Sequence, residues 1–246
     1  MGRLHLTFDI DWAPDFVLED LDRLLADVTI PVTVFSTHKS SMIRKLASRT
    51  GTEIAILPNL LKLSDEASRL KEVLKLFPGS KGIRVHWLYY HHGLLELFHR
   101  SGLEYLSNDL LFLQHSLEPF YDWTGLVRIP IYWSDDVHLI GYERNFDLSV
   151  LRLDNPGLKV LVFQPVHIYL NTSSMVDYVK QKALLRDPSL AASLRNPGPG
   201  IRTLFLEVLE RMKKEDSTTL YNVVRDFKKA GPYAGSYHPM PFPEDP

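Results

Sequence analysis

Seven short runs of apolar and β-branched residues recur along this chain, and the early ones are separated by stretches with helical spacing. The runs lie at 3–10, 31–38, 52–57, 82–88, 103–109, 127–133 and 158–165, and helical spacing marks 15–27, 39–50, 64–76 and 92–101. Strands that alternate with helices in this way form parallel sheets with right-handed crossovers. The pattern therefore predicts an α/β protein.

The apolar runs are nearly continuous, which indicates strands buried on both faces. Seven such strands in one β/α series favour a distorted (β/α)7 barrel over an open two-sided sheet. A length of 246 residues suits a single barrel domain. We therefore expect one domain over 1–231, with a loop at 186–200 and helices near 201–214 and 219–229, followed by a proline-rich tail at 232–246.

The composition excludes several classes of protein. The chain has no cysteine, and therefore neither disulfides nor thiolate nucleophiles or metal ligands. Its 28 basic and 30 acidic residues are balanced, which argues against binding to nucleic acid or an anionic membrane surface. We see no membrane span of ~20 apolar residues and no signal peptide, so we expect a cytoplasmic protein. The nucleophile-elbow, P-loop and dinucleotide-binding motifs do not occur.

Two acids follow the first predicted strand, at the kind of position where parallel α/β folds collect functional residues. Asp9 and Asp11 are two residues apart in an extended segment, so their side chains point to the same face. Two such carboxylates repel each other and favour a bound cation, with one acid as metal ligand and the other as general base. The structural alternative is that they cap the helix that opens at Pro14.

Arginine and histidine stand at three further strand ends. Arg84 and His86 share one face of the fourth run, where a cation would keep a neighbouring carboxylate ionised. His38 is the last residue of the second run. His167 follows the last run, where it could act as a general acid. Each histidine could instead serve packing through a hydrogen bond, and the residues alone leave that choice open.

The segments LTFDIDWAPD, VTVFSTH, GIRVHWL and VFQPVH give the chain a family resemblance over about 3–230. It resembles the NodB-homology polysaccharide deacetylases, or carbohydrate esterase family 4, and especially a branch found with O-antigen and lipopolysaccharide biosynthesis. The resemblance implies a distorted barrel that removes acetyl groups from N-acetylated sugars with a divalent metal, most often zinc. It also implies roles for four residues: Asp9 as general base, Asp11 as metal ligand, Arg84 as the tether of the base, and His167 as the acid that protonates the departing amine.

Two positions depart from that family pattern. Leu57, in AILPN, stands where the resemblance implies a metal-binding histidine, and Gln164, in FQPVH, replaces another histidine. A leucine has no lone pair for a metal, and catalytic zinc sites use three protein ligands. Of the implied ligand set, only Asp11 is retained with certainty.

Three interpretations of the altered site stay open. His86 or His38 could join Asp11 as metal ligands. A weaker Mg²⁺ or Mn²⁺ site could form from Asp9, Asp11, Asp135 and water. Alternatively no metal binds, because Leu57 removed a ligand, and hydrolysis is lost.

We therefore predict a deacetylase that acts on an N-acetylated sugar or polysaccharide precursor. The alternative is a catalytically inactive carbohydrate-binding or assembly protein on the same fold, which Leu57 and Gln164 favour. A metal-free glycosidase with Asp9 and Asp11 as its acid–base pair is disfavoured, because neighbouring side chains of one strand would not flank the scissile bond. The sequence determines neither which sugar is the substrate nor the oligomeric state.

Overall fold

The computed structural model of this protein describes residues 4–61, 65–141 and 145–231. Nine strands form one sheet in the order β6-β7-β5-β4-β3-β2-β1-β9-β8, parallel throughout except where β6 meets β7. They are β1 (Leu4–Ile10), β2 (Val32–Ser36), β3 (Thr52–Ile56), β4 (Gly82–Ile83), β5 (Tyr105–Leu106), β6 (Phe120–Tyr121), β7 (Val127–Arg128), β8 (Trp133–Ser134) and β9 (Lys159–Phe163).

The first strand lies at the centre of the sheet, between β2 and β9, and it is buried on both faces. Its outer face packs on a helix, because the ring of Phe8 lies 5.9 Å from that of Phe205. Its inner face carries Thr7 and Asp9, which both accept hydrogen bonds from Arg84 inside the curled sheet. The continuous apolar runs thus reflect two-sided burial, as the sequence predicts.

The sheet curls because one irregular stretch of chain, 127–134, touches both of its sides. The stretch starts beside β5, where the Ile129 N–H donates to the Leu106 carbonyl at 2.9 Å. It ends beside β9, where the Tyr132 N–H donates to the Val160 carbonyl at 3.0 Å. The sixth predicted strand is therefore split into β7 and β8, and the predicted distorted (β/α)7 barrel is confirmed as a curled, incomplete barrel.

Ten helices in the described residues surround or cap this sheet. They are α1 (Asp15–Ala26), α2 (Ser41–Ala47), α3 (Glu66–Leu76), α4 (His92–Arg100), α5 (Asp135–Ile140), α6 (Pro165–Leu170), α7 (Met175–Gln181), α8 (Pro188–Ala191), α9 (Ile201–Met212) and α10 (Leu220–Ala230). The four early helices and the two late ones confirm the predicted periodic stretches. The predicted tail at 232–246 lies outside the described residues.

The expected loop at 186–200 is wrong in part, since it contains α8. Asp187 accepts a hydrogen bond from the Ser189 N–H at 2.9 Å, and Pro188 occupies the first helical position. A proline is favourable there because that position has no intrahelical N–H partner to lose. The same residues that suggest a loop therefore start a short helix.

The last helix docks on the amino-terminal end of the sheet through a buried carboxylate. Glu53 accepts hydrogen bonds from the Tyr221 N–H at 2.9 Å, the Thr33 hydroxyl at 2.9 Å and the Tyr105 hydroxyl at 2.7 Å. The Leu220 N–H in turn donates to the Thr33 oxygen at 2.9 Å. Burial raises the pKa of Glu53 above its usual value. These contacts hold α10 at the end of the barrel opposite Asp9.

Candidate active site

A buried ion pair joins the ends of β1 and β4. Arg84 Nη1 donates to Asp9 Oδ1 at 2.6 Å, and the Arg84 side chain is only 1% exposed. The remaining guanidinium donors are also fixed, to the Ser107 carbonyl and hydroxyl at 2.9 Å each and to the Thr7 hydroxyl at 3.2 Å. The guanidinium carbon lies 4.1 Å from the centre of the Phe35 ring. Arg84 therefore holds Asp9 rigidly from the inside of the barrel.

Asp9 is tuned toward a basic carboxylate. Burial raises the pKa of Asp9 to about 6, although Arg84 opposes this shift through its charge and its hydrogen bond. The negative charges of Asp11 and Asp136 raise the pKa of Asp9 further. A carboxyl group with a pKa near 6 accepts a proton more readily than an ordinary aspartate and is still ionised at neutral pH.

Asp11 forms a second pair with His86. His86 Nδ1 lies 2.9 Å from Asp11 Oδ2, and this contact raises the pKa of His86 above its usual value. The backbone turns sharply after His86, because Trp87 and Leu88 both have positive φ angles, 60° and 54°. Such strained residues collect at functional sites. The turn also leaves the Trp87 side chain 80% exposed beside the pair.

His38 lies apart from the Asp11–His86 pair. Its Nδ1 is 3.0 Å from the Thr37 hydroxyl, which donates to the Asp11 carbonyl at 2.6 Å. The pKa of Asp15, at the start of α1, is lowered, first by hydrogen bonds and in smaller part by His38. The structure therefore connects His38 to Asp11 only through a threonine and the backbone.

Leu57 continues the inner face of β3. Phe35 pairs in register with both Asp9 and Ala55, and Leu57 stands two residues beyond Ala55. Residues two apart share a face of a strand, so Leu57 belongs to the face that carries Asp9. It is 2% exposed. In the register of the sheet this position is level with Asp11, which is two residues closer to the carboxyl ends of the strands than Asp9.

A third pair forms between α5 and α6. His167 Nε2 lies 2.9 Å from Asp136 Oδ1, and the Gln164 side-chain amide donates to the other oxygen of Asp136. His167 Nδ1 lies 3.1 Å from the Thr172 hydroxyl, and the Tyr178 ring packs 4.4 Å from the imidazole. The His167 side chain is 0% exposed, whereas that of Asp136 is 39% exposed. The carboxyl group is therefore the member of this pair that faces outward.

The neighbouring acid, Asp135, has a structural position. It is fully buried and accepts hydrogen bonds from the Gln164 N–H at 2.6 Å and the Asp136 N–H at 2.9 Å. Burial and the charge of Asp136 raise the pKa of Asp135 well above its usual value. Asp136 is not among the site residues predicted from the sequence. The acidic pair in IPIYWSDD signalled it, but only the start of α5 decides which acid meets His167.

The geometry places a base and an acid pair at one end of one sheet. Asp9 lies near the carboxyl end of β1, and the Asp136–His167 pair lies just beyond β8 and β9. The negative charge of Asp136 helps to raise the pKa of Asp9, which places the two carboxyl groups near each other. Such an arrangement can take a proton from an attacking water on one side and return one to a leaving group on the other.

Comparison with known proteins identifies the family of this chain. A sequence profile of WbmS-like polysaccharide deacetylases matches residues 6–182. The chain belongs to the WbmS-like polysaccharide deacetylase family. The crystal structure of WbmS from Bordetella bronchiseptica, described as a polysaccharide deacetylase involved in O-antigen biosynthesis, is 32% identical and has a TM-score of 0.80. That match covers 85% of this chain and 90% of WbmS.

More distant structures share the fold of this WbmS-like chain. A protein of Mycobacterium smegmatis described as a polysaccharide deacetylase is 16% identical, with a TM-score of 0.58 and coverage of 92% of this chain and 91% of its own. A Bacillus anthracis pseudoenzyme of carbohydrate esterase family 4 is 10% identical, with a TM-score of 0.50 over 91% of this chain and 65% of its own. No curated protein matches the sequence. Across the described ranges, no helix is both long and apolar enough to cross a membrane.

Deacetylases of this fold group generally use a divalent metal, and the donors of this WbmS-like chain fill only part of such a site. Asp11 and His86 are close enough to be two ligands of one ion. In 4–61, 65–141 and 145–231, no three histidine, aspartate or glutamate side chains are grouped to hold a metal. Catalytic zinc usually has three protein ligands. The side chains present therefore do not complete a zinc site.

Proposed function

We propose that this WbmS-like protein hydrolyses the N-acetyl group of an amino sugar in a precursor of a surface polysaccharide. The observation that carries the proposal is the pair of opposed proton-transfer groups, Asp9 with Arg84 and His167 with Asp136, at one end of the barrel. Amide hydrolysis needs both a base for water and an acid for the amine, and the site supplies each.

Asp9 is the base in the proposed mechanism. Its ionised carboxylate takes a proton as a water molecule attacks the carbonyl carbon of the acetamide group. The new C–O bond yields a tetrahedral intermediate, whose negative charge is offset by the nearby cationic groups of Arg84 and His86, which pair with Asp9 and Asp11. Because Ser107 and Thr7 fix the Arg84 guanidinium that holds the carboxylate, little reorganisation accompanies the proton transfer.

The Asp136–His167 pair is the acid. His167 is enclosed by Thr172 and Tyr178, and both of its ring nitrogens are engaged, so its proton reaches the substrate through the outward-facing carboxyl group of Asp136. The pair protonates the sugar nitrogen as the C–N bond breaks, which releases acetate and a free amine. Gln164 orients Asp136 by donating to its second oxygen.

The substrate class follows from the family and from WbmS. The description of WbmS places that protein in O-antigen biosynthesis, and we extend this role to the present chain. An N-acetylated sugar or polysaccharide precursor is then its partner. A cytoplasmic site of action is part of the proposal, and fractionation of cells that express the protein tests it.

The decisive experiment measures acetate and free amine released from N-acetylated sugar nucleotides and oligosaccharides by the purified protein, with and without added Zn²⁺. Asp9→Asn and His167→Gln should each lower the rate by ~10²–10⁴-fold. Asp177→Asn, a change on the exposed face of α7, is the matched control and should leave the rate unchanged. Absence of acetate release from every substrate would overturn the proposal.

The metal is tested separately, at Leu57. The incomplete donor set predicts weak binding of a divalent ion, with Asp11 and His86 as the ligands and His38 as a candidate third. Leu57→His places an imidazole on the inner face at the level of Asp11, and we expect it to increase Zn²⁺ affinity at least tenfold by calorimetry. Leu57→Gln is the control, because it adds polarity without an imidazole. Equal affinity in both variants would mean that Asp11 and His86 are not metal ligands.

A second candidate function is favoured by Leu57 alone. Its side chain offers no donor where the family implies a ligand, which suits a carbohydrate-binding or assembly protein that keeps the fold without hydrolysis. This candidate predicts saturable binding of an N-acetylated sugar without acetate release. Binding that is lost when Trp87 or Asp136 is replaced would place the sugar in the same site.

A further inference from the structure

A lysine lies at the mouth of the site and belongs to none of its pairs. Lys182 follows α7 in a short 3-10 turn, and its ammonium nitrogen is 4.9 Å from the centre of the Trp12 ring and 5.9 Å from that of Tyr178. Trp12 directly follows Asp11 in the chain, and Tyr178 packs on His167. The ammonium group is therefore held between the two halves of the site by aromatic rings.

The charge of Lys182 is not needed to balance the acids of the site. Three acids there each have their own partner, and the fourth, Asp135, accepts two backbone hydrogen bonds, while burial raises its pKa. The pairs are Asp9 with Arg84, Asp11 with His86, and Asp136 with His167. Within the part of the chain that the structure describes, Lys182 forms no ion pair with a carboxylate.

The aromatic contacts also fix the position of the Lys182 ammonium group. A lysine on a free surface extends into water, whereas two cation–π contacts keep this ammonium group over the opening. The charge therefore lies beside the residue that follows Asp11 and beside the ring that packs on His167.

We propose that Lys182 binds an anionic group, a carboxylate or a phosphate, that the N-acetylated sugar substrate carries. The inference rests on the proposed deacetylase function and adds a substrate class to it: acidic or phosphate-linked amino sugars over neutral ones. The ammonium donates a charge-assisted hydrogen bond to the anion while the acetamide group lies between Asp9 and Asp136.

The test compares three N-acetylated probes that differ in charge: the methyl glycoside of N-acetylglucosamine, its uronic acid counterpart, and UDP-N-acetylglucosamine. Lys182→Met keeps the aromatic packing and removes the charge. It should raise Kd and KM for an anionic probe by about tenfold to a hundredfold, leave kcat unchanged, and leave the neutral glycoside unaffected. Lys182→Arg should retain most of the preference.

The controls separate this inference from the proposed function. Lys180→Met removes a lysine that is paired with Asp177 at 3.4 Å, and it should change none of these constants. Calorimetry in an Asp9→Asn background gives the Kd values without turnover, so they remain readable even if the wild-type protein releases no acetate. If Lys182→Met weakens the binding of the uronic acid alone, the group that Lys182 binds is a carboxylate. If it weakens the binding of the nucleotide sugar alone, the group is a phosphate. An equal loss for the neutral glycoside, or no loss for any probe, overturns the inference.

Discussion

Asp9 is the residue whose chemistry is set most clearly by its surroundings. Its burial raises its pKa to about 6, and the base must be ionised to accept a proton. We therefore expect kcat/KM to fall about tenfold per pH unit below about pH 6. Arg84→Gln removes the charge that opposes the shift, so the acid limb of the profile should move to higher pH. The measurement is a pH–rate profile on samples whose folding is checked by thermal melting.

The outcome for Arg84→Gln distinguishes the titration of Asp9 from the titration of another group as the cause of the acid limb. If the limb stays near pH 6 in the variant, another group limits the rate at low pH. Asp122→Asn is a suitable comparison, because Asp122 lies 3.8 Å from the guanidinium of a different buried arginine, Arg128. That change should leave the limb where it is.

The sequence identified many individual residues of the site but not all of their partners. Asp9, Asp11, Arg84, His86 and His167 could be found because apolar runs mark where strands end, and the structure brings these residues to one end of the barrel. The sequence could not distinguish Asp136 from Asp135. A shift of one residue in the start of α5 would change which of the two acids is buried. The position of His38 beside Thr37 depends on the turn after β2, which periodicity does not describe.

The last helix, α10, is attached through the Glu53 carboxylate. The folded protein raises the pKa of Glu53 above the usual 4.5, so it holds this proton more tightly than the unfolded chain does. Stability should therefore decline as pH rises from about 4.5 through the raised pKa. The isosteric Glu53→Gln variant lacks this group, and the difference between the two free energies of unfolding should change with pH in that window. Denaturant unfolding at several pH values measures it.

A truncation at the same position tests the hydrogen bonds themselves. Glu53→Ala leaves the Tyr105 hydroxyl and the Tyr221 N–H without their acceptor, and it should cost about 3 kcal/mol. Thr219→Ala removes the side chain that caps α10 through the Asn222 N–H and that also hydrogen-bonds Glu53, but it leaves the carboxylate in place, and it should cost about 1 kcal/mol. Equal costs would mean that the carboxylate does not dock the helix.

Elements were predicted well where they are long and poorly where tertiary contacts define them. The periodic stretches that became α1, α3, α9 and α10 carry their own apolar faces, which the sequence displays directly. By contrast, β4 and β5 have two residues each, and their contacts with the neighbouring strands, not a local pattern, define them. The break between β7 and β8 reflects which neighbour the chain meets, and no local pattern encodes that choice.

Across the whole molecule, a line of contacts fills the barrel from Glu53 to Asp9. The Tyr105 ring stands edge-on to Phe35 at 6.5 Å, and Phe35 lies under the Arg84 guanidinium. Gly82 makes room for this line, since a Cβ there would lie 1.9 Å from the Tyr105 ring. The packing of the interior thus links the docked helix to Asp9, the proposed general base.

Gly82→Ala is therefore expected to act at both ends of the barrel. The added methyl group must displace Tyr105, which should destabilise the fold by about 1–3 kcal/mol and also lower the rate of deacetylation. Gly79→Ala is the control, because a Cβ at Gly79 has no neighbour within 4 Å. Thermal unfolding and acetate release on both variants provide the test. A stable but inactive Gly82→Ala protein would contradict a shared packing line.

The enclosed guanidinium of Arg84 has a spectroscopic consequence. Protons that are buried and hydrogen-bonded exchange with solvent only when the surrounding structure opens. The side-chain protons of Arg84 are held by Ser107, Thr7 and Asp9 and lie away from water. They should therefore give sharp, slowly exchanging nuclear magnetic resonance signals, well separated from those of surface arginines. Changes in these signals would report, from inside the barrel and without a label on the ligand, when a sugar reaches the carboxylate above them.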